Sequence, residues 1–172
     1  MAILVRPTKT TLAWSDFVET SDSLQDHEAE AGYESGFVPA NFTPRRIRGR
    51  AYLPATYTIR VWPVARVAPG ASKTTELLAH EQFHYDVGII CARALARDLE
   101  GLNGSDPSDL LSQLTDLHAL HMLTRAGAIQ DAYDSASETN HGRNADKQRD
   151  WQAAMAECLA RPSINRIMGL PL

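Results

Sequence analysis

The chain has 172 residues, with 17 lysines and arginines against 21 aspartates and glutamates, for a formal net charge of −4. One domain of that length buries roughly 70% of its unfolded surface, and a make-up of 44% hydrophobic and 22% charged residues excludes a largely disordered chain. No apolar run approaches the ~20 residues of a membrane span, and the slight acidity argues against nucleic acid as a partner.

The opening Met1-Ala-Ile-Leu-Val-Arg6 has no basic segment ahead of its short apolar stretch, so no secretory signal is expected there. Short β-favouring runs follow one another between turn residues: Ile3–Val5, Thr11–Trp14, Arg46–Leu53 and Tyr57–Val64. In the last of these Tyr57, Ile59 and Val61 share a face with period 2, and Pro63 points to an edge position or the strand's end. The acidic stretch from Glu19 to Glu34, with Asp22, Asp26, Glu28 and Glu30, reads as a solvated loop or short helix. Arg46, Arg48 and Arg50 alternate along a predicted strand and so share its exposed face.

After residue 73 the pattern turns helical. Ser72 or Thr74 caps a helix beginning near Thr75, and Leu77, His80/Glu81, His84, Val87/Gly88, Cys91, Leu95 and Leu99 form one stripe. The segment from Gly101 to Pro107 breaks it. Ser105 or Asp106 starts a second helix with Pro107 near its first position, carrying Leu110, Leu114, Leu117 and His121 on one side and running to about Tyr133–Ser137. Asn140-His141-Gly142 reads as a stop or sharp turn, and a third helix covers Ala145 to Leu159 with Trp151, Met155 and Cys158 toward the core. Strands followed by helices make an α+β pattern in a single domain, 1–172, strand-rich over 1–72 and helical over 73–172. Cys91 and Cys158 form no CxxC pair. They are buried thiols or one disulfide between helices, and the place of Cys91 on the apolar stripe favours thiols.

The chemistry concentrates in Leu77-Leu-Ala-His80-Glu81-Gln82-Phe83-His84-Tyr85-Asp86, an HExxH motif. On a helix, residues four apart project from one face, so His80 and His84 can ligate one metal ion while Glu81 stands beside it. Zinc suits imidazole nitrogen, and a catalytic zinc keeps one position open for a water whose pKa it lowers to about 7. Glu81 is then the general base that takes that water's proton. Two histidines and a glutamate on a buried face would be costly without partners; the alternative is a pair of core histidines held by hydrogen bonds. A third ligand must come from downstream, where His118, His121, Asp134, Glu138 and His141 are available. His118 and His121 make a conceivable second metal pair, though such residues more often bond across a helix interface. His141 follows a helix end beside Gly142, where the backbone can turn an imidazole back; Glu138 would give a His-His-Glu site.

Trp14-Ser15-Asp16-Phe17, the HEQxH segment, and Glu138-Thr139-Asn140-His141-Gly142 with Gln148 and Trp151 resemble a bacterial family of predicted secreted zinc-dependent proteases, over about residues 11 to 155. The resemblance implies a zincin-like metallopeptidase, secreted or periplasmic, with Zn2+ held by His80, His84 and His141 and with Glu81 as base. A Tyr-Asp pair in that family lies closer to the Thr-x-His-Gly element than Tyr133-Asp134 does here. Tyr133 is a candidate oxyanion donor or a structural tyrosine. Asp86 and Asp134 are candidates for orienting a ligating imidazole, and Thr139 for fixing the turn that aims His141.

The expected architecture is an N-terminal antiparallel sheet of three to five strands packed on the HExxH helix, with two further helices behind. Tyr57–Val64 is the candidate edge strand for pairing with an extended substrate. The expected function is hydrolysis of peptide bonds in a peptide or protein substrate by metal-activated water. A non-catalytic zinc-binding module would instead fill the fourth position with a side chain, and a metal-dependent amidase acting on a non-peptide or cell-wall amide would present a deep closed pocket.

Overall fold

The computed structural model describes residues 2–22, 24 and 28–172, so Asp26 of the acidic stretch lies outside the described residues. In chain order come β1 (Ala2–Pro7), a 3-10 turn (Trp14–Asp16), β2 (Val18–Glu19), β3 (Ala29–Val38), β4 (Arg45–Ile47), β5 (Arg50–Tyr52) and β6 (Thr56–Val67). There follow α1 (Thr75–Leu99), β7 (Asn103–Gly104), α2 (Pro107–Ala119), a π-helical segment (Leu120–Arg125), α3 (Ala126–Asp134), α4 (Ala145–Ala160) and a closing hairpin of β8 (Arg166–Ile167) and β9 (Leu170–Pro171). The fold is α+β, as its sequence order implies.

The main sheet is mixed rather than antiparallel. β6 lies at its centre, with β1 and β2 running parallel to it along one side and β3 antiparallel along the other. Tyr57–Val64 is therefore not an edge strand. Pro63 is tolerated because β1 pairs only as far as Val61 and β2 begins opposite Arg66. The carbonyls of Val61 and Val67 accept from Thr8 and Thr20 on that same side, so the missing N–H of Pro63, in phase with both, falls in the gap between the two partners. The inward alternation Tyr57, Ile59, Val61, Ala65, Val67 is buried.

β1 and β2 form one edge of this sheet and β3 the other, and the first part of β3 comes from the acidic stretch that reads as loop or helix. Alanine, glutamate and glycine have poor strand propensity, and pairing with β6 over ten residues overrides it. Thr11–Trp14 is not a strand either: the amide of Leu12 donates to Gln82 Oε1 of α1 at 2.6 Å, and the chain turns into the 3-10 segment. Arg46–Leu53 is a hairpin, not one strand. Ile47 pairs with Arg50 across Arg48 and Gly49, both with positive φ (49° and 81°), the backbone of a two-residue type I′ turn. Arg46, Arg48 and Arg50 consequently do not form a strip.

Thr74 caps α1, its hydroxyl accepting from the amide of Leu77 at 3.1 Å, and Asp106 caps α2 with Pro107 at the first helical position. From Phe83 to Leu99 α1 is buried at nearly every position, because the sheet covers one side and the other helices the rest. Such a helix is largely apolar round its circumference, and its polar residues here are bonded: Asp86 to Gln82, and Asp98 to His121. Cys91 and Cys158 are buried free thiols. Burial pushes the Cys91 thiol up to about 12. Arg93 and Arg97 reach from α1 to the carbonyls of Leu159 and Pro162 at the end of α4, where the helix dipole favours cations.

The close fit of α1 to β3 is set at Gly88. A Cβ there would stand 2.3 Å from Cγ of the Tyr33 ring, and the Tyr33 hydroxyl donates to the Met122 carbonyl in the π segment at 2.7 Å. One aromatic side chain thus joins sheet, α1 and the second helical run. Gly88→Ala should lower stability by about 1–3 kcal/mol, since a ring pinned at both ends cannot give way cheaply. Equilibrium urea unfolding measures it, and an unchanged midpoint would show that Tyr33 does not fill that space.

Candidate metal centre

The α1 face that carries His80 and His84 meets the last turn of α3. The two Nε2 atoms lie 3.3 Å apart, and Asp134 Oδ1 lies 3.2 Å from each. Among the described residues these three are the group of side chains that could hold a metal ion. Donor atoms 3.2, 3.2 and 3.3 Å apart are close enough together that one zinc ion could bond all three. Asp134 Oδ1 is buried and makes no hydrogen bond of adequate geometry despite its two close nitrogens. A buried carboxylate oxygen set between two imidazole nitrogens makes a donor set that suits a cation.

The surroundings orient this set. Gln130, one turn before Asp134 on α3, brings Oε1 to 3.3 Å from His84 Nδ1, which suits a ring whose Nε2 is free to ligate. Gly142 lies against the other imidazole: its backbone, at φ 79°, would put a Cβ 3.2 Å from His80 Nδ1. Glu81 is buried, and its Oε2 accepts from the amide of Ala31 on β3 at 2.5 Å. Burial pushes the Glu81 carboxyl up to about 7, while His84 and the Ala31 amide pull it back. Burial alone would raise Asp134 as well, but the two imidazoles outweigh it and hold that carboxyl below the usual range. Burial likewise lowers His80, whereas at His84 the Asp134 and Glu81 carboxylates overcome burial and raise the ring. His80, Glu81, His84 and Asp134 line a cavity of about 430 Å³ together with Arg66 and Gln130.

The histidine pair and Glu81 are therefore brought together; the remaining sequence candidates are distributed around them. His141, the expected third ligand, is exposed and has a positive φ of 53°. It lines an adjoining cavity with His80, Glu81 and Gly142 and stands outside the converging triad. Asp134, weighed as a ligand and as an orienting residue, occupies the third corner. Glu138 turns away, accepting from Trp151 Nε1 at 3.0 Å and facing Lys147. Thr139 is buried and fixes the turn: its amide and hydroxyl both donate to the Tyr133 carbonyl, and its own carbonyl accepts from Asn144. Asp86 lies on another side of α1 and accepts from Gln82 at 2.9 Å, so it orients neither imidazole. His118 meets Ser35 at 3.0 Å and His121 meets Asp98 at 2.8 Å, which makes them interface histidines rather than a second pair of ligands.

Tyr133 is placed behind the histidines, not in the cavity. Its ring stacks on His80 and Phe83, with centroids 4.8 and 3.8 Å away, and the side chain is 0% exposed. Burial raises the phenol far above its ordinary range, with the charges of Asp134 and Glu81 adding to it and the Gln152 amide opposing them. The hydroxyl and Gln152 Nε2 are neighbours, but neither makes a hydrogen bond of good geometry. Sequence reasoning missed Gln130 and the Ala31 amide. Only the spacing of Gln130 from Asp134, four residues on one helix face, offered a signal. Because the Tyr133 hydroxyl is buried and unbonded, Tyr133→Phe should change stability by less than about 1 kcal/mol and leave the cavity intact, as thermal unfolding and a titration with cobalt can check. A loss of metal affinity in that variant would place the hydroxyl in the site.

Compared with known protein families, with curated proteins and with solved structures, the chain finds no match in any of the three.

Proposed function

We propose that the chain is a zinc-dependent peptidase of the zincin-like kind, with His80, His84 and Asp134 holding the ion and Glu81 as general base. The observation that carries this reading is the convergence of three donor atoms, 3.2 to 3.3 Å apart, beside a buried glutamate in a cavity open to solvent. A structural zinc takes four protein ligands, whereas three leave a position for chemistry. When bound there, zinc would act as a Lewis acid that acidifies a water and polarises a substrate carbonyl. Glu81, raised by burial to about 7, is poised to accept the proton of an attacking water and pass it to the leaving amine. The amide of Ala31 holds one carboxylate oxygen in place and leaves the other for that transfer. Asp134 adds a negative charge to the ligand set that His141 would not.

Binding of an extended peptide is supported by β3. The main-chain groups of its even residues pair with β6, as the bond from Ala68 to the Glu28 carbonyl sets the phase. Those of Tyr33, Ser35 and Phe37 face outward in phase with Ala31, whose amide reaches Glu81. That edge, leading to the centre, suits pairing with a peptide better than a deep closed pocket for a small amide would.

Zinc content by mass spectrometry and hydrolysis of a casein digest test the assignment together. Glu81→Gln should keep one equivalent of zinc and lose at least about a hundredfold in rate. Asp134→Ala should weaken zinc binding by two or more orders of magnitude, and His141→Ala should keep the ion. Full activity in Glu81→Gln would end the general-base reading. Retention of zinc by Asp134→Ala with loss in His141→Ala would exchange the third ligand.

A further inference from the structure

Beyond the cavity at the candidate centre, a second groove of about 560 Å³ runs between the outer edge of β3 and the helical wall formed by the π segment and α3. The two cavities meet at Gln130, which lines both. We propose that this groove selects a bulky apolar side chain lying N-terminal to the cleaved bond, and that Gly127 keeps it open. The proposal rests on the peptidase reading and deepens it.

Three observations support it. Leu123 on the helical wall is 65% exposed, an apolar side chain held out into solvent at the rim where a ligand would cover it. Gly127 sits within α3, where glycine is a poor helix former. A Cβ at that position would meet nothing within 4 Å, so no packing within the chain requires the glycine. Gly32, across the groove on β3, likewise has nothing within 4 Å of its Cβ position. The groove therefore has glycines on both walls, Tyr33, Met122 and Leu123 as its large apolar surface, the neutral polar groups Ser35 and Gln130 with His118, and Glu34 as its one acidic lining residue. Those surroundings fit a phenylalanine, leucine or methionine side chain and disfavour a charged one.

Strand direction decides which side of the cleaved bond this is. Antiparallel pairing is the more stable arrangement, and an added strand antiparallel to β3 runs from the Phe37 end toward the Ala29 end. Ala31 marks the catalytic position through its bond to Glu81, and Tyr33 and Ser35 lie two and four residues away along β3. The groove thus takes side chains about two to four positions N-terminal to the bond, given the shared spacing of paired strands.

The test uses the zinc-loaded protein and a degenerate peptide library, with cleavage positions read by mass spectrometry. Phe, Leu and Met should be enriched at least tenfold over Gly and Asp in that N-terminal window. Gly127→Trp, at a position whose Cβ would meet nothing within 4 Å, should abolish the enrichment without lowering zinc stoichiometry, and Gly127→Ala should raise the melting temperature. Binding is read separately with Glu81→Gln and a fluorescein-labelled Phe-containing peptide, whose anisotropy-derived Kd should rise at least tenfold on adding Gly127→Trp. Cleavage without the enrichment, enrichment on the C-terminal side, or indifference to Gly127→Trp would overturn the groove assignment while leaving the peptidase reading in place. Gly127-dependent binding with no cleavage of any peptide would support the groove and overturn the hydrolytic reading.

Discussion

The contact on which the rest depends is the one between Glu81 and the amide of Ala31. α1 is buried over most of its length, and near its N-terminal end it carries two buried imidazoles and a buried carboxylate, an arrangement that is costly unless each polar group meets a partner. The Ala31 amide is free to serve because β3 pairs with β6 alone. A slip of one residue in that pairing would turn the amide inward to β6 and send every side chain of β3 to the opposite face. The register is therefore tied to the site. Tyr33, two residues on, holds it by filling the space above Gly88 and bonding the Met122 carbonyl.

Much of this was legible in the residues, and the division follows the range of the forces. The helices are readable because caps and apolar periodicity are local: Thr74, Asp106 with Pro107, and the left-handed turn at Asn140-His141-Gly142 all take the conformations their types favour, although α3 itself ends earlier, at Asp134. His80, Glu81 and His84 are readable as a set because helical geometry alone places them on one face. β3 is not readable. Its Ala-Glu-Ala-Gly-Tyr run has little strand preference, and only pairing with a β6 made of β-branched and aromatic residues supplies it. β6 itself was visible, but its central position was not, because the proline that would exclude it from a sheet's middle sits at a gap left by two short neighbours.

The third corner of the centre is the instructive case. His141 has the chemistry and the turn, and its neighbours at φ 49° and 79° continue a left-handed run that lays Gly142 against His80. That close approach brings the loop backbone to the imidazole, while the side chain of His141 faces the adjoining cavity. The turn is where the chain reverses, and it brings both Gly142 and His141 to a cavity that His80 and Glu81 also line.

What delivers Asp134 is a change of phase in the helix before it. The buried or half-buried positions Leu110, Leu114, Leu117 and His121 advance by four, three and four residues; Met122, Ala126, Ile129 and Tyr133 repeat the same steps displaced by one. The displacement falls within the π segment Leu120–Arg125, where a widened turn accommodates the extra residue. One residue is about 100° of helix rotation. Had the first stripe continued, Arg125, Ala128 and Ala132 would face the core, and Asp134 would be carried away from α1. With the slip, Ile129 and Tyr133 point inward instead, and Gln130 and Asp134, the next residue in each case, line up along the flank that meets His84. The same widened turn leaves Leu123 exposed at the wall of the groove beside β3. A local change in helical hydrogen bonding, marked by the shift in the stripe of buried residues, thereby sets both the geometry of the candidate centre and the shape of the groove beside it.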